Sequence, residues 1–171
     1  VTGRVMLITG ASSGVGAALA EQLAGMGARV VVNYSRSADA ADAVVSRITS
    51  AGGQALAVQA DVSEEADCKQ LVAATIEQFG QLDVLVNNAG TTTFVPHDQL
   101  EALTEEIWLR TLRVNLIGAF MMSREAALHI GAAGGGEIIM TSSIASMTAN
   151  GSSIAYCASK AGMNSLTRTL A

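Results

Sequence analysis

The sequence is short of the residues that staple, break or charge a chain. It has one proline, Pro96, and two cysteines, Cys68 and Cys157, among 171 residues. The cysteines form no CxxC pair and cannot make a multi-bridge framework, so free buried thiols in a reducing, cytoplasmic setting are expected. The two histidines, His97 and His129, lie far apart without the spacing of a ligand set, and no metal is predicted. No block of lysine or arginine occurs. Ten basic residues stand against 15 acidic ones, a net charge of −5. A pI near 4.9 leaves no electrostatic footprint for nucleic acid or an anionic membrane. Apolar runs such as Val5 to Ile8 and Ala119 to Met122 stop well short of the roughly 20 residues a bilayer span needs. The chain opens on Val1 with no charged-then-apolar leader, and we expect it to begin inside a longer coding sequence.

What is present is apolar, at 50% of residues, and glycine-rich, with 17. Such a chain can bury one full core, and a single domain over 1–171 is expected. Short β-branched runs alternate with stretches of helical period, the pattern of an α/β fold with a parallel sheet. The strands are expected at Val5–Thr9, Arg29–Tyr34, Gln54–Ala60, Leu82–Asn87 and Glu137–Thr141. Each is a near-continuous apolar run, as strands covered on both faces require. Val15, Leu19, Leu23 and Met26 recur at helical spacing and predict the buried face of a first helix, closed by Gly27. Val44, Val45 and Ile48 mark a second helix. A third carries Leu71, Val72, Ile76 and Phe79, with Ser63 as its N-cap and Gly80 at its end. One long helix is expected from Ile107 to Ile130, and another from near Ser153.

Directly after the first strand comes Thr9-Gly10-Ala11-Ser12-Ser13-Gly14-Val15-Gly16, and directly after that the first helix. Glycines are needed where backbone turns tightly and approaches a pyrophosphate, while the helix N-terminus offers free N–H groups to the anion. Taken alone, three glycines mark an ordinary tight turn; between strand and helix they point to a dinucleotide. Their spacing, four then two, resembles the TGxxxGxG of the classical short-chain dehydrogenase/reductases. Asp61 after the third strand, Asn87-Asn88-Ala89-Gly90 after the fourth, Asn115 in the long helix, and Ser143 followed by Tyr156 and Lys160 match that family in order. The resemblance runs from about Gly3 to the last residue and is closest to 3-oxoacyl-carrier-protein reductases. It implies a three-layer, doubly wound parallel sheet, the Rossmann fold. It also implies that Ser12, Ser13 and Val15 with the three glycines hold the pyrophosphate side, that Asp61 and Val62 meet the adenine, and that Asn88, Ala89 and Gly90 lie beside the cofactor.

Tyr156 and Lys160 are four apart and therefore share a helix face. An isolated pair of this kind is usually a packed ring with a solvated amine. Beside the glycine loop it carries chemistry, because a phenol ionises near pH 10 in water and an adjacent ammonium favours the phenolate. By resemblance, Tyr156 exchanges the proton with substrate, Lys160 also holds the nicotinamide ribose, and Asn115 anchors a water linking Lys160 to solvent. Ser143, thirteen residues before Tyr156, hydrogen-bonds the substrate oxygen on which charge develops. The substrate is then a ketone, aldehyde or secondary alcohol, free or bound to an acyl carrier.

At the end of the second strand, where an acid would bind the ribose 2′-hydroxyl, stand Asn33, Tyr34, Ser35 and Arg36. Ser35 and Arg36 can donate to a phosphate, so NADP is the expected cofactor, with NAD possible. Relatives continue past the tyrosine helix into a sixth strand, a substrate lid and a seventh strand. A fragment of a longer enzyme, lacking those last strands, is therefore expected, with Glu137 to Met140 as an open sheet edge. The family's long helices build dimers and tetramers, which implies a homo-oligomer. The competing reading is a dinucleotide-binding module without turnover.

Overall fold

β-Branched and aliphatic residues fill the strands of the computed structural model, which describes residues 1–171. The strands are β1 (Val5–Ile8), β2 (Arg29–Tyr34), β3 (Gln54–Gln59), β4 (Val84–Asn87) and β5 (Glu137–Met140). They form one sheet in the order β3-β2-β1-β4-β5, every pairing parallel, with Leu7 opposite Val31 on one side and Leu85 on the other. The chain moves outward from β1 to β3 and then returns to β4 on the far side of β1. This reversal opens a crevice at the carboxyl ends of β1 and β4, where open α/β sheets bind ligands.

The helices are α1 (Gly14–Gly25), α2 (Ala38–Ser50), α3 (Glu65–Phe79), α4 (Glu105–Leu112), α5 (Gly118–Ala132), the short α6 (Ala145–Thr148) and α7 (Ile154–Leu170). Alternate strand residues face opposite ways, so two cores form. Val5, Leu7, Val31 and Leu85 pack against α3 and α5 through Leu71, Val72, Met122 and Ala126. On the other face Met6, Ile8, Val30, Val32, Val84 and Val86 pack against α1 and α2. The result is the three-layer arrangement expected. Continuous burial holds for β1 and β4 and nearly so for β2. β3 and β5 are edges and only partly covered, with Ile139 49% exposed.

Three local expectations are corrected. The buried face of α1 is Gly16, Ala17, Ala20 and Ala24, while Val15 and Met26 point to solvent and Leu19 and Leu23 pack at the margin. The helix lies too close to the sheet for large side chains, so the small residues carry its contact. Glu64, not Ser63, is the N-cap of α3 and makes no side-chain cap; the Ser63 hydroxyl instead donates to Asp61 at 2.7 Å. The single long helix is two helices joined by a π-helical turn, Arg113–Ile117, in which the Gly118 N–H reaches the Arg113 carbonyl five residues back. A π turn often marks a functional position, and this one contains Asn115. It delivers Gly118 against the Val62 carbonyl, where a Cβ would come within 2.6 Å. Both cysteines are buried and free.

Candidate active site

The tips of β1 and β4 are bolted together by side chains. The Thr9 hydroxyl accepts from the N–H groups of Asn88 and Ala89 at 3.0 Å, and Asn88 Nδ2 donates back to the Thr9 and Gly10 carbonyls. The approach leaves no room for side chains: a Cβ at Gly10 would meet Ala89 Cα at 2.9 Å, and one at Gly16 would meet Asn88 Nδ2 at 2.6 Å. Gly14 is different, for its φ is +56° but the space around it is open. Ser13 caps α1 without a side-chain hydrogen bond. The first helical bond runs from the Ala17 N–H to the Ser13 carbonyl. The N–H groups before it are the donors a helix start offers to an anion.

Asn33, almost fully buried, fastens the loop from the other side. Its Oδ1 accepts from the Gly10 N–H at 3.1 Å while its Nδ2 donates to the carbonyls of Ala60, Val58 and Tyr34. The Asn33 carbonyl takes the Ala11 N–H at 2.8 Å. Its amide is thus committed to joining the tips of β1, β2 and β3, and Asn33 forms part of a floor. Above that floor lies a cavity of about 540 Å³ lined by Gly10, Ser12, Ser13, Tyr34, Ser35, Arg36, Asp61, Val62, Asn88, Ala89 and Gly90. The Asp61 carboxylate in its wall accepts from the Ser63 N–H at 2.9 Å. Val15 and Gly16, also expected at the cofactor, do not line this cavity. Arg110 and Val114 do, and sequence reading missed both. The available signal was position, since Val114 immediately precedes Asn115 and Arg110 lies one turn earlier.

A second cavity, of about 460 Å³, shares Asn88, Gly90 and Thr91 with the first and is lined beyond them by Ser142, Ser143, Tyr156 and Lys160. α7 brings Tyr156 and Lys160 to one face, and Ser153 caps that helix by accepting from the Tyr156 N–H. Lys160 is buried, at 3% exposure. Its Nζ donates to the Thr141 carbonyl at 2.7 Å and lies 5.8 Å from the centre of the Tyr156 ring. Burial pushes the Lys160 amine below the ordinary lysine range. Ser143 Oγ accepts from the Ala145 N–H at 3.2 Å, leaving its proton free to donate. The Ser142 hydroxyl is buried with no partner.

Asn115, fully buried, lines neither cavity. Its Oδ1 accepts from the Thr91 N–H at 2.7 Å, and its Nδ2 donates to the Thr91 carbonyl and to Ser159 Oγ. It therefore holds the strand of chain shared by the two cavities. The loop beyond is fixed to the start of α7 by Thr92 and His97, whose side chains meet Ser152.

A sequence model of the short chain dehydrogenases matches residues 4–171. The chain is 46% identical to an uncharacterised oxidoreductase of Methylorubrum extorquens over 99% of its own length and 66% of that protein's. It is 41% identical to a 3-oxoacyl-[acyl-carrier-protein] reductase of Synechocystis over 100% and 68%. Its fold superposes with a TM-score of 0.89 on a short chain dehydrogenase from Burkholderia cenocepacia solved in complex with NADP, at 37% identity, covering 99% of this chain and 67% of that one. The chain thus spans about 66% of the length of the first curated relatives it matches. By its strand order, its glycine loop and these likenesses, the chain belongs to the short chain dehydrogenase family.

Proposed function

We propose that this chain forms the coenzyme site and catalytic centre of an NADP(H)-dependent reductase acting between a carbonyl and a secondary alcohol. One observation carries the reading: the cavity lined by Ser143, Tyr156 and Lys160 adjoins the cavity above the glycine loop, with Asn88, Gly90 and Thr91 lining both. That is the layout needed for a long ligand with an anionic middle and a reactive end. The residues fit a dinucleotide phosphate. Gly10 and Gly16 let the tips of β1 and β4 and the start of α1 close up beneath the cavity where a Cβ would clash, the start of α1 has unspent N–H groups, and Ser12, Ser13, Ser35 and Arg36 line the cavity above. NAD would use the same cradle without the contacts to a 2′-phosphate.

Bound nicotinamide supplies or accepts the hydride. Tyr156 gives the proton to the substrate oxygen in reduction and takes it back in oxidation. The Lys160 ammonium, one helical turn away, lowers the cost of the phenolate, and in a dehydrated pocket its charge acts more strongly than in water. The Thr141 carbonyl orients that ammonium and partly compensates its desolvation. Ser143 donates to the same substrate oxygen, stabilising charge as it develops. Asn115 acts through Thr91, keeping the wall between the two cavities in place. A 3-oxoacyl thioester is one substrate consistent with the Synechocystis relative. The exposed Ile117 of the π turn and Phe120 and Leu128 of α5 favour self-association as a dimer or tetramer. Two free buried thiols suit a reducing, cytoplasmic compartment, and no helix is long and apolar enough to cross a membrane.

NADPH oxidation against a panel of ketones, with NADPH binding measured alongside, tests the reading. Turnover that falls about 10²–10⁴-fold in Tyr156→Phe while coenzyme binding persists is expected. Binding without turnover, unchanged by that substitution, would establish a binding module instead.

A further inference from the structure

The arginines of this chain divide sharply by partner. Arg4, Arg47, Arg113 and Arg124 each meet a carboxylate within 4.0 Å. Arg29 donates to the Gly3 and Phe79 carbonyls. Arg36, Arg110 and Arg168 have no ion pair, and two of these three line the same cavity. They reach it from separate elements, Arg36 from the β2–α2 loop and Arg110 from α4. Glu106, four residues before Arg110, sits at the spacing where helical ion pairs form readily, yet no such pair is made. The one carboxylate of the cavity wall, Asp61, is turned to Ser63. The wall therefore holds two uncommitted guanidinium groups, together with the hydroxyls of Ser12, Ser13, Ser35 and Ser37. In a protein of net charge −5 that is a local reversal of sign.

Resting on the coenzyme reading above, we propose that Arg110 is a second specificity-determining cation for the 2′-phosphate of NADP(H), added to Arg36 from a separate element of the same cavity wall. Arg110 and Val114 are four apart and both line this cavity. Val114 can thus flank the adenine while the longer Arg110 side chain reaches past it. The reacting end has its own cation, Lys160, in the other cavity, which leaves Arg110 to the adenosine end. A phosphate monoester carries a charge of about −1.5 to −2 near neutral pH. Two guanidinium groups match it where one would leave a residual charge, and arginine forks bind phosphate oxygens through charge-assisted hydrogen bonds.

Calorimetric titration of the chain with adenosine 2′,5′-bisphosphate and with 5′-AMP tests this without requiring turnover. Arg110→Gln should weaken the bisphosphate about tenfold, equivalent to about 1.4 kcal/mol, change 5′-AMP less than twofold, and flatten the salt dependence of bisphosphate binding. Arg110→Lys should restore most of the loss. Because Arg110 is exposed, the variants should melt within a degree or two of the parent. Equal weakening of both probes would overturn the proposal, as would bisphosphate binding unchanged in Arg110→Gln. If Arg36→Gln abolishes the preference for the bisphosphate and Arg110→Gln does not, the Arg110 assignment fails and the coenzyme reading stands. If the parent chain shows no preference between the probes, both fail.

Discussion

Replacing Lys160 by methionine should stabilise the fold while removing the chemistry. Lys160 is buried, at 3% exposure, and its ammonium has three N–H donors and meets one good acceptor, the Thr141 carbonyl at 2.7 Å, and one weak one, the Met163 sulfur at 3.8 Å. Burying a charge so incompletely partnered costs about 2–3 kcal/mol, while an orphaned Thr141 carbonyl costs about 1–2 kcal/mol in the variant. The net gain is about 1 kcal/mol, or a Tm higher by roughly 2–4 °C for a domain of this size. The pH dependence supplies the sign. Burial lowers the Lys160 pKa in the folded state, so between that value and the unfolded one the unfolded chain binds more protons, and parent stability rises with pH. Below that window the penalty is complete and constant; above it, the penalty is gone. Thermal melts of both proteins from neutral pH upward should therefore show the variant ahead at pH 7 and the gap closing towards about pH 10.4, the ordinary lysine value. A Lys160→Met protein that melts below the parent at pH 7 would refute this reasoning and make the ammonium–carbonyl bond a net source of stability.

The glycine loop offers a matched pair. Gly16→Ala forces a Cβ to within 2.6–2.9 Å of Asn88, Gly10 and Ala11 and should cost about 1–3 kcal/mol in chemical denaturation. Gly14→Ala meets no neighbour and pays only for its positive φ, about 1 kcal/mol. Asn115→Ala removes three hydrogen bonds of a fully buried side chain and should lose about 2–4 kcal/mol, with coenzyme affinity falling because Thr91 is released. Cys68, whose thiol burial pushes up to about 11, should resist a thiol-specific reagent at pH 8 until the chain unfolds, which stopped-flow labelling in a denaturant series will show.

Much of this architecture can be read from local pattern. The three inner strands announce themselves because buried parallel strands need unbroken apolar runs, the two edge strands are short apolar runs set between helical stretches, and the loop glycines fall where strand meets helix. Tyr156 and Lys160 are adjacent by helical period alone. What the pattern hides is set by distance between elements. Helical spacing of large residues points to the wrong face of α1, because the close packing demanded by Gly16 and Asn88 selects alanine. The π turn at Asn115 inserts no residue type that local propensity flags; it follows from docking α5 against the Val62 carbonyl. Asn33 sits where a ribose contact is sought, but its amide is taken up by the Gly10 N–H and three carbonyls, which only the sheet order brings together. Arg110 is distant in sequence from Arg36, and nothing short of the fold places them around one cavity.

The most direct measurement is a crystal structure of this chain with NADPH bound. The account predicts the pyrophosphate over Gly10 to Gly16, the 2′-phosphate beside Arg36, and the nicotinamide passing Asn88 to Thr91 to end within reach of Tyr156 and Ser143. A nicotinamide lying elsewhere, with Tyr156 and Lys160 remote from its ring and ribose, would contradict it.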